Sequence, residues 1–279
     1  MKIGYLVCLI NKKYFIIQYG YCSKGARKLK KIIMLMSLYI VVKLASSATK
    51  FLNNIRCGNK KSFTPNPQFL KKEGGLTDKS ILFLGSSITY GAASHGISFV
   101  EFLNIESNVH TTKEAISGTS LSGTERNTYV QRIKKEELSK AKYDLLVCQL
   151  STNDGRLNKS IGEIKKEYDI DSFDVKTTIG AMEYIISYAK LTWDIPVLFY
   201  TCIRKTDPYY EFLVYNLYKL KEKWDIEILD VWGNQWASEQ IKYDNTLFAD
   251  DAHPTLKGYR YIYTPLFKEK IKNILSKEI

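Results

Sequence analysis

The chain has only three histidines, His95, His110 and His253, so histidine-based chemistry has few places to sit. His253 lies in "FADDAHPTLKGY", 248–259. An aspartate three residues before a histidine can turn back in a short loop and accept the ring Nδ1 proton. The other nitrogen, Nε2, is then left as a proton acceptor. Asp250 has that spacing, and Asp251 is its neighbouring competitor. Such a base needs a hydroxyl to act on. In "ILFLGSSITYG", 81–91, four apolar residues run into Gly85-Ser86-Ser87. A serine there can cap a helix or stand as a nucleophile at a strand end. The charge that forms when a serine attacks a carbonyl needs hydrogen-bond donors. Asn153, in "STND" 151–154, can offer a side-chain amide. Gly118, in "ISGTS" 116–120, can bring its N–H close because no Cβ intervenes. The N–H of Ser87 itself, at a helix start, would be the third donor. Together these types support acyl transfer through a serine. They require no cofactor, and no set of residues has metal-ligand spacing.

These residues need a scaffold that gathers them. From Ser80 on, short apolar runs alternate with helix-like patterns. Strands are expected at 81–85, 109–116, 143–151, 195–203 and 226–231. Helices are expected at 96–105, 127–141, 175–193, 209–224 and 258–279, the last with Pro265 near its start or at a break. Strands bounded by helices of this length point to βαβ units and a parallel sheet covered on both faces. In such sheets ligands bind outside the carboxyl ends of the strands. Ser86-Ser87, Ser117-Gly118-Thr119, Thr152-Asn153-Asp154, Arg204-Lys205 and Trp232-Gly233 follow the five runs, and Asp250–His253 precede the last helix. Asp154 reads as a turn former bonding its own loop.

With those residues in view, the chain resembles the SGNH (GDSL-type) hydrolase superfamily. "GSSIT" (85–89) is similar to its first block, "ISGTS" to the glycine block, "STND" to the GxND block and "DDAH" (250–253) to the DxxH block, all in order. The resemblance implies that Ser87 is the nucleophile, that Asp250 and His253 complete a triad, and that Ser87, Gly118 and Asn153 form the oxyanion hole. It implies a flavodoxin-like three-layer αβα sandwich with a five-stranded parallel sheet. Ser86 stands where the first block usually has Asp, and Ser151 where the third usually has Gly. The resemblance covers about residues 80–275.

The formal net charge is +12, a value that elsewhere suggests nucleic acid. Residues 1–80, however, hold 16 Lys and Arg against two acids, which leaves the remainder slightly acidic. A basic face on the enzyme-like part is not supported, and nucleic-acid binding is not expected. Within that basic region lies "KGARKLKKIIMLMSLYIVVKLASSATK", 24–50. Here a basic cluster precedes an apolar run over 32–48, the order found in a cleaved signal or an uncleaved anchor. A soluble amphipathic helix is the competing reading. Gly, Pro, Asn and Lys without apolar periodicity read 57–79 as a linker. The organisation expected is a basic N-terminal region over 1–56, that linker, and a hydrolase domain over 80–279. The five cysteines match no disulfide or zinc pattern.

The function expected is a serine esterase acting on acyl esters, acetyl among them, of a carbohydrate or another envelope component, working outside the cytoplasm. Three alternatives stand beside it: an acyltransferase or a lysophospholipase-like activity on the same site, and a silent binding module on the same fold. A cytoplasmic location is the alternative to the envelope.

Overall fold

The computed structural model describes residues 3–10, 13–20, 25–70, 76–203 and 207–277, with side chains from 31 onward. The chain divides into two compact units, Met1–Phe51 and Leu52–Ile279. The first contains an antiparallel hairpin of Ile3–Ile10 with Lys13–Gly20, in which Ile3 pairs with Gly20 and Ile10 with Lys13. The helix Gly25–Gly58 begins in the first unit, and its last turns belong to the second.

The second unit is built on a five-stranded, all-parallel sheet. Its strands are β1 (Ser80–Gly85), β2 (His110–Ala115), β3 (Leu145–Gln149), β4 (Val197–Tyr200) and β5 (Glu227–Leu229), in the order β2-β1-β3-β4-β5. The central strands are buried along their length because both faces are covered by helices, so their sequences show no alternation. β2 is an edge strand with half-exposed side chains, which is why "HTTKEA" is the least apolar of the five. The register pairs Leu84 of β1 with Glu114 of β2 and with Cys148 of β3. The carboxyl ends of the three strands that carry Ser87, Gly118 and Asn153 are thereby level with one another.

Two helical layers cover the sheet. Helix α1 (Phe99–Ser107) packs with α5 (Thr264–Leu275), the rings of Phe99 and Phe267 stacking at 3.8 Å between centroids. In the other layer, α2 (Thr178–Trp193) meets α3 (Pro208–Trp224) and the short helix Tyr129–Ile133. Boundaries have local causes. A capping box closes the start of α1, with Ser98 and Glu101 bonding reciprocally, and Asn108 ends it at φ 53°. Asp207 accepts from the N–H groups of Tyr209 and Tyr210 ahead of Pro208 at the start of α3. A further helix, α4 (Gln235–Tyr243), was not legible in the sequence.

Two expectations need correction. The helix expected over 127–141 is two short pieces, Tyr129–Ile133 and Glu136–Ser139, separated at Lys134-Lys135. The last helix is continuous through Pro265 but changes pitch before it. Leu256–Gly258 is α-helical, Tyr259–Tyr263 is π-helical, and α5 follows. Proline has no N–H to close the α-ladder, and the N–H of Thr264 reaches back five residues to the Tyr259 carbonyl. The second compact unit begins at Leu52. Two 3₁₀ turns, Lys61–Phe63 and Pro67–Phe69, lie in the stretch read as a linker. The stretch is held by polar bonds. The Arg260 guanidinium donates to the carbonyls of Phe63 and Thr64 at 3.2 and 2.6 Å, and the backbone N–H of Asn66 donates to Glu106 at 2.9 Å. A segment held by hydrogen bonds needs no apolar periodicity.

Candidate active site

Ser87 opens a single helical turn, Ser87–Tyr90, directly after β1 and Ser86. The turn is tight because Thr89 folds back over Gly85. A Cβ at Gly85 would lie 1.7 Å from Thr89 Oγ1, so only glycine fits. Gln149, the last residue of β3, holds the turn from below. Its Oε1 accepts from the N–H of Ser86 at 2.9 Å, from Thr89 N–H at 3.3 Å and from Thr89 Oγ1 at 2.9 Å. From the α-layer, the Tyr259 hydroxyl donates to the Ile88 carbonyl at 2.6 Å. The turn that carries Ser87 is thus fixed by a strand, an amide and a phenol, and the residue keeps 8% exposure.

His253 reaches it from a narrow loop closed by the Phe248–Pro254 bridge and by the Ala249 N–H to His253 carbonyl bond. His253 Nε2 lies 2.9 Å from Ser87 Oγ, and Nδ1 lies 2.8 and 3.0 Å from the two oxygens of Asp250. Asp250 is the aspartate on the ring, and Asp251 is not. Asp250 Oδ1 also accepts from the N–H groups of Ala252 and His253, both at 2.8 Å. Partial burial opposes its charge. The ring bond, the two amides and the imidazole's field outweigh that and hold the carboxyl at about 2. An ionised carboxylate on Nδ1 fixes the tautomer in which Nε2 accepts a proton from a hydroxyl.

Asn153 begins the short helix Asn153–Arg156 after β3. Its Nδ2 donates to the Thr119 carbonyl at 2.9 Å and to Ser86 Oγ at 3.3 Å, so the amide joins the residue after Gly118 to the residue before Ser87. Gly118 has φ +80°, where a side chain would be strained. The nearest atom to a Cβ there is an Arg156 nitrogen at 3.9 Å, so the backbone angle and not crowding calls for glycine. Among the described residues, neither the Ser87 nor the Gly118 N–H donates a hydrogen bond. Ser151 and Ser86, the two departures from the usual blocks, both take part: Ser151 Oγ accepts from the Asn153 N–H at 3.1 Å.

Four supporting residues escaped the sequence reading. Asp154, read as bonding its own loop, bonds other segments. Its carboxylate accepts from Leu121 N–H, Ser122 N–H, Ser122 Oγ and Thr178 Oγ1, at 2.7–3.1 Å, and so fixes the loop after Gly118. Arg132 is 1% exposed. Its guanidinium donates at 2.7 Å both to the Gly85 carbonyl and to the Glu114 carbonyl, clamping the ends of β1 and β2 together. Arg156 Nε donates to Asn153 Oδ1 at 3.3 Å, which turns the amide nitrogen toward Ser86 and Thr119. Gln149 is the fourth. The signals available were a glutamine ending an apolar strand and an arginine on the buried side of an amphipathic pattern. Of the other expected positions, Arg204-Lys205 lie outside the described residues. His110 is exposed at the sheet edge, and His95 sits at φ 60° in the loop after the Ser87 turn. No group of metal-ligating side chains occurs among the described residues.

No protein-family model matches the sequence, and no curated relative matches it either. Solved structures do. A protein from Lactobacillus plantarum is similar with a TM-score of 0.53 and 17% identity, over 73% of this chain and 99% of its own. A protein assigned as a GDSL-like lipase, from Bacteroides ovatus, has a TM-score of 0.51 and 17% identity, over 72% and 99%. One assigned as a lipase, from Chitinophaga pinensis, has a TM-score of 0.51 and 16% identity, over 69% and 98%. At such identities the likeness is one of fold: a five-stranded parallel sheet flanked by helices, shared with proteins assigned as GDSL-like lipases.

Proposed function

We propose that the protein is a serine esterase in which Ser87, His253 and Asp250 act as a triad. The observation that carries the reading is the unbroken chain from Ser87 Oγ through the imidazole to an ionised carboxylate, at 2.9 and 2.8 Å. Nε2 takes the hydroxyl proton as Oγ attacks the ester carbonyl. The oxyanion is held by the N–H groups of Ser87 and Gly118 and by Asn153 Nδ2, whose long contact to Ser86 Oγ gives way to it. The imidazolium then returns its proton to the departing alkoxide. Water, deprotonated by the same nitrogen, cleaves the acyl-serine and restores the enzyme. Asp250 keeps its charge throughout and stabilises the imidazolium.

The substrate class proposed is an acyl ester of a carbohydrate or another envelope component. The support is positional. Lys31–Gly58 is long and apolar enough to cross a membrane, by length and composition, and its apolar window is not buried. Such a helix serves as a signal or an anchor, with the esterase working outside the cytoplasm. The test is a panel of acetyl, longer acyl, sugar and phospholipid esters, assayed with wild type and with Ser87→Ala. Ester hydrolysis that disappears in the variant supports the reading. Hydrolysis of long-chain phospholipid esters alone would favour a lysophospholipase, and no hydrolysis at all would leave a binding module.

A further inference from the structure

We propose that Asn54 and Asn59, in the segment that enters the folded unit, are positioning residues for the loop that carries Asp250 and His253. The inference rests on the esterase reading for its catalytic consequence, though not for its geometry. That loop runs between Phe248 and Leu256, and both its ends are tied to this segment. The buried Asn54 donates from Nδ2 to the Phe248 carbonyl at 3.0 Å. Asn59 Oδ1 accepts from the Leu256 N–H at 2.8 Å. The other half of the Asn59 amide donates to the Ala93 carbonyl at 2.7 Å, in the loop that follows the Ser87 turn. One side chain therefore bridges the histidine loop to the serine side of the site. Between the two asparagines the backbone passes so close that a Cβ at Gly58 would lie 2.2 Å from the Thr246 carbonyl and 2.4 Å from Thr255 Oγ1. Thr255 Oγ1 itself donates to that Thr246 carbonyl at 2.7 Å.

The loop's own closure is the Phe248–Pro254 bridge, the Ala249 N–H to His253 carbonyl bond and the two amides on Asp250 Oδ1, all of them bonds inside the loop. Its aim at Ser87 Oγ is set by where its two ends are fixed. A loose end displaces Nε2 by a fraction of an ångström to an ångström, and a misplacement of that size costs roughly 10²-fold in rate. Substrate binding, which needs no such alignment, is spared.

The test uses the full chain. Asn59→Ala, Asn54→Ala and Asn59→Asp are compared with Asn53→Ala, whose exposed side chain bonds, among the described residues, only within its own helix turn. Two readouts are taken: kcat and KM on an ester that wild type cleaves, and hydrogen–deuterium exchange of the amides from Ala249 to Leu256. The expected result is a roughly 10- to 100-fold loss of kcat at unchanged KM in Asn59→Ala and Asn54→Ala. Exchange should be faster over 249–256 but not in β1, β3 or β4, and Asn53→Ala should match wild type. Asn59→Asp keeps the acceptor for Leu256 and loses the donor to Ala93, so a smaller loss is expected, and it serves if Asn59→Ala does not fold. Unchanged exchange over 249–256 overturns the clamp. Faster exchange with kcat intact overturns the positioning role and leaves a structural one. A wild type that cleaves no ester defeats the esterase reading instead, and the exchange data still decide whether the clamp exists.

Discussion

Ser87 contributes a hydroxyl to the site and little to the fold. Ser87→Ala should abolish ester hydrolysis while leaving the unfolding midpoint close to wild type, since one small polar group is removed from a partly open position. Asp250→Asn should lower kcat by loosening the tautomer of His253, and Asp251→Asn should do much less; reversed effects would mean that the wrong aspartate sits on the ring in solution. Asn153→Ala should reduce kcat by about 10²–10³-fold with KM little changed, because the amide acts on charge that exists only in the transition state. A pure KM effect would move Asn153 to substrate binding. The depressed Asp250 also makes a prediction in pH. A carboxyl held at about 2 stays ionised throughout the range where an imidazole base ordinarily titrates. The acid limb of log kcat/KM should therefore have a slope of one; a slope of two would show a second group protonating with the base. For folding the sign is the usual carboxylate one. The folded-state value lies below the unfolded one, so whatever stability the Asp250 contacts contribute is present above the unfolded value and is lost as pH falls toward 2.

At the scale of elements, the site is a set of strand and loop ends drawn together by buried polar side chains. Arg132 is the clearest case. Removing its guanidinium takes a donor from the Gly85 and Glu114 carbonyls and leaves the Glu114 carboxylate, which is 14% exposed, with Lys135 as its remaining ion-pair partner. Arg132→Ala should cost on the order of 3 kcal/mol in denaturant unfolding; a loss under about 1 kcal/mol, the net worth of an ordinary hydrogen bond, would show that water replaces it freely. These ties also explain how far sequence reasoning reached. Buried central strands such as "ILFLG" and "LLVCQ" announce themselves by composition, and so do the residues at their ends. Asp250 was separable from Asp251 by its three-residue spacing to His253. Asp154, Arg132 and Asn59 were not readable, because each bonds a backbone group far away in sequence and nothing local marks that partner. The stretch from Cys57 read as a linker for the same reason. Its asparagines are typical loop residues until the carbonyls and amides they meet are known.

On the scale of the whole molecule, the excess of positive charge and the longest run of exposed apolar residues belong to the N-terminal part, and the residues proposed as catalytic to the remainder. Leu35, Ile40 and Val41 are 63, 41 and 60% exposed, unusual for a helix in water. The full chain should partition with membranes and resist extraction by high salt, which weakens only electrostatic attachment. Replacing those three residues by Asp should release it, and recovery of the unaltered chain in the soluble fraction at low salt would end the anchor proposal. The cut that preserves activity should lie at Leu52. A chain of 52–279 keeps Asn54, Asn59 and the carbonyls that hold Arg260, whereas 79–279 loses them all and should show a lower kcat. Equal kcat for the two would contradict it. The central claim, that Ser87 is a nucleophile activated by His253, is tested most directly by treating the full-length protein with a fluorophosphonate and locating the adduct by peptide mass spectrometry. The account predicts one phosphonylated residue, Ser87, with labelling lost in Ser87→Ala and strongly slowed in His253→Ala. A protein that takes up no label, or takes it up equally well without His253, would contradict it.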